Sequence, residues 1–163
     1  MINLEKRAPE VANLLNPAFC SLLLYATIYE YQKKAKNGFP YTLTYLVLPL
    51  VLHKSTRERI DSRTNMVVFT QRHPDVLVGF PGRARSLIPF ANEALDFLFF
   101  REIVTINATR LTVEKTISKT GVGKYAAADQ EIADCIRKAE HVGRWFAQMG
   151  AEENIYTAWG VKP

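Results

Sequence analysis

The sequence has few of the residues on which disulfide-stapled, metal-dependent or redox proteins rely. It contains two cysteines, Cys20 and Cys135, and three histidines in 163 residues. Both cysteines sit among apolar residues, which predicts reduced, buried thiols of a cytoplasmic protein rather than a disulfide framework. The histidines are widely spaced and have no Cys or His at ligand spacing, so we expect no metal site and no cofactor.

Catalytic signatures are also missing. Gly121-Val-Gly-Lys124 superficially resembles a phosphate loop, but Tyr125 follows the lysine where a Walker A motif has Ser or Thr. The sequence has no Gly-x-Ser-x-Gly elbow. A Cys–His nucleophile pair remains an alternative, and it is disfavoured because buried thiols resist ionisation. We therefore expect no catalytic residues and a protein that is not an enzyme.

Membrane signals are absent too. The most apolar stretch, residues 39–52, is shorter than the ~20 apolar residues that a bilayer crossing needs. The first ten residues lack the apolar run of a signal peptide. We expect a protein that does not engage a membrane.

What the chain does contain is enough apolar material for one core. Hydrophobic residues make up 48% of the sequence and charged residues 23%, which is ordinary for a globular protein. The length fits one domain over residues 1–163. We expect a helical core with a winged-helix-like unit over 1–125, and a C-terminal helix and tail over 126–163.

Residues 39–60 are the centre of the predicted fold, because the chain changes there from its most apolar run to one of its most basic. Apolar side chains at helical spacing on two faces indicate a buried segment. We predict five core residues in the chain: Phe19, Leu23, Leu46, Leu50 and Leu98. The basic residues that follow could bind nucleic acid or an acidic partner; the alternative is a solvated basic turn. With two later arginines, the candidate surface is Lys54, Arg57, Arg59, Arg63, Arg72 and Arg110.

Local signals predict the helices. A short helix is predicted over 10–15, and Asn16-Pro17 predicts the start of a longer one over 17–36, capped at Asn37-Gly38. Pro49 predicts a kink or two short helices meeting, and Ser55-x-x-Glu58 predicts a helix that begins just after Ser55. A further helix is predicted from about 62–64 to the residues before Pro74. Pro89 is predicted to divide the helical region after residue 81.

The pattern changes period after residue 102. Residues 103–106 and 111–115 alternate as strands do, so we predict a β-hairpin with its turn at 107–110. A hairpin that follows a set of short helices is the layout of a winged helix. The predicted fold is therefore mainly α with a β-hairpin, a winged-helix-like single domain with a long C-terminal helix.

The end of the chain combines a loop, a helix and an apolar tail. Gly121 and Gly123 predict a mobile loop over 116–125, and an apolar stripe predicts a helix over about 126–149 with Gly150 as its cap. The tail carries Ile155, Tyr156 and Trp159, which form a candidate partner-binding segment or fold back on the chain's own core. Charge is uneven: residues 53–85 carry seven basic and three acidic side chains, and residues 126–163 carry four and six.

Three structural phrases together resemble a known family: residues 11–25, residues 46–59 and Gly79-Phe-Pro-Gly-Arg-Ala-Arg-Ser-Leu-Ile-Pro-Phe90. They resemble the small middle component of three-component ABC systems, which are bacterial conflict or anti-phage modules; the closing residues 160–163 also look like that family's end. The resemblance implies a winged-helix-like fold and two partners, an SMC-like ABC ATPase and an effector that is often a nuclease. It supplies no catalytic residues.

Two main functions therefore compete. The first is a non-catalytic adaptor that bridges the ATPase and the effector. The second is a winged-helix DNA-binding protein or regulator, with the basic residues neutralising phosphates and Arg110 on the wing. An enzyme of unrecognised type ranks last.

Overall fold

The computed structural model describes residues 15–162 and confirms a mainly helical domain with a small antiparallel sheet. No helix in that range has the length and apolarity that a membrane crossing requires. The predicted helix over 10–15 lies outside the described residues, apart from Leu15. The helices are α1 (Pro17–Lys34), α2 (Thr44–Val51), α3 (Lys54–Arg57), α4 (Met66–Arg72), α5 (Phe80–Phe100), α6 (Lys119–Ala127), α7 (Gln130–Met149) and α8 (Glu152–Ala158), with 3-10 turns at Tyr41–Leu43 and Pro74–Leu77.

Helix α1 begins as its sequence predicts. The Asn16 side chain accepts hydrogen bonds from the backbone N–H groups of Ala18 and Phe19, and Pro17 occupies the first turn. The helix is buried on two sides, as its paired apolar faces indicated. Its end differs from the prediction, because Ala35 caps it in an extended conformation. Gly38 has a φ of +80° in the turn beyond, where an added Cβ would lie 3.0 Å from the Cβ of Arg110.

Helices α1 and α7 cross at very close range at the centre of the domain. A Cβ added at Gly143 would lie 2.3 Å from the backbone carbonyl oxygen of Thr27. The Thr27 hydroxyl donates across the same crossing to the carbonyl of Ala139, at 3.0 Å. Only glycine permits this approach, so Gly143 sets how closely α7 packs on α1 at this point.

The predicted hairpin is confirmed. Strands β2 (Val104–Asn107) and β3 (Arg110–Val113) pair antiparallel around a turn in which Ala108 has a φ of 54°. A third strand that the sequence did not predict, β1 (Phe39–Pro40), pairs with the other edge of β3, giving the order β1-β3-β2. The winged-helix interpretation is not confirmed. The helix predicted before Pro74 is the seven-residue α4, which buries Met66 and Phe69 in the core.

The apolar stretch forms the centre of the core, and all five predicted core residues are buried. Pro49 lies inside α2, so two short helices do not meet there. The prediction that Pro89 divides its region is wrong, because Pro89 lies inside α5, which runs unbroken for 21 residues. Pro89 is on the exposed side of α5, where a carbonyl that has lost its donor can be hydrated.

Two boundary predictions are also wrong. Helix α3 begins at Lys54 with the backbone of His53 as its cap, so Ser55 lies inside the helix and forms no capping box. Residues 119–127 form α6 instead of a loop, because the Ser118 hydroxyl caps the helix by accepting from the N–H of Gly121. The two glycines that suggested a loop lie within α6. By contrast, α4 stops before Pro74, and α7 is followed by Gly150 as its cap, both as predicted.

Candidate functional site

The predicted basic surface contains one residue that is not on the surface. Arg57 is only 2% exposed. Its Nε donates to Asp134 Oδ2 at 3.1 Å, Nη2 donates to Glu131 Oε1 at 2.8 Å, and Nη1 donates to the Val51 carbonyl at 2.9 Å. The placement of Arg57 on a nucleic-acid or partner surface is therefore wrong, since its charge joins α3 to the ends of α2 and α7.

Most of the other predicted basic residues face acidic partners on this chain. Lys54 lies 3.8 Å from Glu58, Arg59 pairs with Asp75, and Arg110 pairs with Glu152 at 3.1 Å. The two remaining residues, Arg63 and Arg72, are exposed. The hydrogen bond from Arg59 lowers the pKa of the Asp75 carboxyl. Among the described residues, Arg63 and Arg72 make no ion pair. The uncompensated part of the surface is thus small.

The apolar tail belongs to the core. Ile155, Tyr156 and Trp159 are buried, and the Trp159 ring lies 4.9 Å from that of Phe80. The indole N–H of Trp159 donates to the sulfur of Met66 at 3.2 Å. The prediction of a partner-binding tail is therefore wrong for these side chains, and the alternative, a tail folded back on its own chain, describes the structure.

The residues that could serve as nucleophile or base make structural contacts, and burial disfavours their charged forms. Burial raises the pKa of the Cys135 thiol to about 11. Burial, followed by the Arg144 charge, lowers the pKa of His141, whose ring packs 5.1 Å from that of Trp145. Burial and nearby arginines also lower the pKa of His53. Within residues 15–162, no three His, Cys, Asp or Glu side chains are arranged to hold a metal ion.

A more promising surface surrounds α6, which lies against α1 and α7. Of the eight described helices, α6 is the one with no buried residue. The backbone N–H of Ile117 donates to the Tyr25 hydroxyl at 3.0 Å, just before the helix, and Tyr125 tilts against Phe19 with 6.3 Å between ring centroids. With Val122 and Ala126 half-buried against the core, these contacts hold α6 at the edge of the domain.

Two adjoining grooves flank α6. The first has a volume of about 760 Å³ and the second about 670 Å³, sizes at which proteins hold ligands or inserted side chains. They share Leu22, Ile117, Ser118 and Val122. The first groove is otherwise lined largely by Phe19, Phe97, Ile103, Tyr125 and Ile132, and the second by Tyr25, Tyr29, Ile136 and Glu140.

Carboxylates accompany this apolar lining. Asp129 and Glu131 lie in the first groove, which has no basic side chain in its wall. In the second groove, burial and the neighbouring Glu30 raise the pKa of Glu140. Burial opposes ionisation of Glu30 as well, but hydrogen bonds from Lys33 and Arg144 lower its pKa overall. Glu140 has no ion pair within the described part of the chain, and the nearby charges of Arg144, Lys33 and Lys119 partly offset the rise in its pKa.

Near the first groove, α5 ends in an exposed aromatic side chain. Phe100, the last residue of α5, is 89% exposed and lies one helical turn beyond Phe97, which lines the groove. An interface commonly centres on such an aromatic residue beside an apolar cleft. We name the two grooves together with Phe100 the α6 surface.

Sequence reasoning missed the α6 surface because its walls come from distant segments: 16–33, 97–103 and 116–140. Two signals were available. Ser118 precedes the segment as a typical N-cap, and Glu140 stands one turn from Ile136 on the apolar side of α7. Neither signal indicates a groove until α1, α6 and α7 are brought together.

Comparison with known proteins places the chain in a family. A family model described as ABC-three component (ABC-3C) system Middle Component 3 matches residues 4–163. No curated protein and no solved structure matches the chain. The family match includes the residues of the α6 surface and the buried anchor Arg57. This chain belongs to the middle component 3 family of ABC-three component systems.

Proposed function

We propose that the chain is a non-catalytic adaptor in a cytoplasmic anti-phage complex, where it bridges an SMC-like ABC ATPase and an effector nuclease. The family match carries the proposal, because it covers nearly the whole chain and describes the middle component of a three-component system. An adaptor needs surfaces that its own core does not use. The α6 surface, apolar and flanked by carboxylates, has that character.

The chemistry of the described residues supports an adaptor over an enzyme. Arg57, Cys135 and His141 are buried and engaged in packing or pairing. A thiol with a pKa near 11 is protonated at neutral pH, which is the wrong state for a nucleophile. We expect no ATP hydrolysis and no nuclease activity from the isolated chain. Turnover that a single point mutation abolishes would contradict this expectation.

The test is reconstitution with the other two components of the same system. The tagged ATPase and the untagged effector are co-expressed with and without this chain, then purified through the tag and sized by gel filtration. The adaptor function predicts that effector recovery requires this chain. The proposal fails if the ATPase retains the effector without it, or if the chain binds neither component.

DNA binding is a second candidate, and exposed Arg63 and Arg72 favour it. Both lie in the segment between α3 and α5 and have no acidic partner among the described residues. An Arg63→Glu/Arg72→Glu variant should lose duplex affinity, and wild-type affinity should fall steeply between 50 and 200 mM salt, by about 10³-fold or more for six or more phosphate contacts. A variant at Arg57 is unsuitable for this test, because that side chain is structural.

A further inference from the structure

Helix α5 packs on α1 and α2 along one side and faces solvent along the other. On the outer side, exposed residues follow helical spacing over about three turns of the helix. They are Arg85, Ile88, Pro89, Asn92 and Asp96. Residues at this spacing form one stripe along a helix surface. We name this stripe the α5 face.

The α5 face carries one charge of each sign. Arg85 and Asp96 are separated by eleven positions in the sequence, so they lie on the same side of the helix, about 17 Å apart along its axis. Among residues 15–162, neither side chain makes an ion pair. The other residues of the face are uncharged. A surface that approaches α5 therefore meets a positive charge near one end and a negative charge near the other.

Uncharged side chains lie between the two charges and beyond them. Ile88 is 38% exposed, and Pro89 follows it on the solvent side. Asn92 is fixed by a hydrogen bond that its Oδ1 accepts from the Tyr45 hydroxyl at 2.8 Å. Phe100, one turn beyond Asp96, is 89% exposed. An apolar contact with a few polar groups around it is the usual composition of a protein interface.

The charge pattern of the α5 face is complementary to itself when the helix is reversed. We consider a second α5 antiparallel to the first, with a two-fold axis midway between Pro89 and Asn92. In this register, Arg85 of each copy lies opposite Asp96 of the other. A two-fold interface repeats every contact, so both ion pairs form together. Sliding one helix by one turn would move the charges of both pairs apart by about 5 Å.

We propose that the protein forms a homodimer in which the α5 faces of two copies pack antiparallel about this axis. Charge complementarity selects a second copy, because the register that pairs both charges is one in which the face meets itself. Phe100 then lies opposite Pro81 of the second copy and adds apolar area at each end. One helix face per copy is a small interface, so we expect a roughly micromolar Kd. The inference goes beyond the adaptor function and does not depend on it.

The test is sedimentation velocity of the full chain at low salt, from low to high micromolar concentration. The wild type should shift from monomer to dimer over this range. Arg85→Asp should raise the Kd by about tenfold or more, because it brings two acidic residues together at both ends of the contact. Asp96→Arg should do the same, because it brings two arginines together.

Charge exchange distinguishes a second copy from any other occupant. The double variant Arg85→Asp/Asp96→Arg exchanges the two charges and should dimerise as wild type does. The two single variants should also form a mixed dimer with each other, because one carries only acids and the other only arginines on the α5 face. Arg72→Asp and Glu153→Arg are the matched controls. They make the same charge changes at exposed residues outside α5, and they should dimerise as wild type does.

The remaining outcomes would overturn the proposal. These are a wild-type chain that stays monomeric, single variants that dimerise as well as wild type, and a double variant or mixture that fails to recover the dimer. If the wild type is monomeric and Arg85→Asp loses the ATPase or the effector in co-purification, the α5 face binds that component and the homodimer is wrong. Failure of the adaptor proposal is seen separately, in the reconstitution, because dimerisation is measured on this chain alone.

Discussion

Replacing Arg57 by methionine tests whether this residue is a structural anchor or a binding residue. The substitution keeps an unbranched side chain and removes the charge and the three donated hydrogen bonds. Breaking one partner of a buried ion pair typically costs about 3–5 kcal/mol. We expect about 3 kcal/mol, at the lower end, because Glu131 is 45% exposed and regains hydration when Arg57 is removed. The Val51 carbonyl retains only the long contact from Cys135 Sγ at 3.9 Å.

The assay is urea unfolding followed by circular dichroism at 222 nm and by tryptophan fluorescence. Arg59→Met is the control. Arg59 pairs with Asp75 at the surface, and exposed pairs contribute about 0–1 kcal/mol. If Arg57→Met unfolds within about 1 kcal/mol of wild type, the anchor role is wrong. A stable Arg57→Met variant that loses DNA or partner binding would restore the surface interpretation.

Three further predictions concern the helix crossing, the tail and the groove carboxylate. Gly143→Ala should lower the free energy of unfolding by about 1–3 kcal/mol, because its Cβ cannot fit against the carbonyl of Thr27. An unchanged midpoint of urea unfolding would contradict the close approach of α1 and α7 at this residue. Trp159→Ala should cost about 3–5 kcal/mol, whereas a tail that is not part of the core would tolerate it. Glu140→Gln should be more stable than wild type at pH 7. Folding raises the pKa of Glu140, so the ionised carboxylate destabilises the folded wild-type protein. This cost grows as pH rises from the pKa of the unfolded state through the pKa of the folded state. The advantage of the variant should therefore disappear in acid, and a pH-independent difference in melting temperature would refute this cause.

Local signals in the sequence determined several elements correctly. Asn16-Pro17 sets the start of α1, since the side-chain cap and the fixed proline φ act within three residues. Alternating apolar and polar residues over 103–115 predicted the hairpin. Apolar residues at helical spacing predicted which side of α7 is buried, including Cys135, Val142 and Phe146. In each case the deciding interactions lie within one turn or one strand pair, or follow from simple periodicity.

Signals that depend on their surroundings were misread. Pro89 does not divide α5, because its position on the exposed side of the helix makes the lost hydrogen bond tolerable. Gly121 and Gly123 do not make a loop, because the Ser118 cap and the contact between Tyr125 and Phe19 stabilise α6. Propensity favoured the opposite result at each site, and solvent exposure at Pro89, and the Ser118 cap with the Tyr125 contact at α6, outweighed it.

The candidate sites were decided only by the tertiary structure. Arg57 is one basic residue among several in the sequence, and it becomes a buried anchor because α7 brings Asp134 and Glu131 to it from 77 and 74 residues away. The tail becomes core because Phe80 and Met66 form the space that Trp159 fills. The α6 surface exists because α1 and α7 cross closely enough to make a floor for a helix that they do not enclose. Charge and apolarity are properties of the sequence, whereas exposure depends on which distant segments meet, and exposure is what separates an interface from a core.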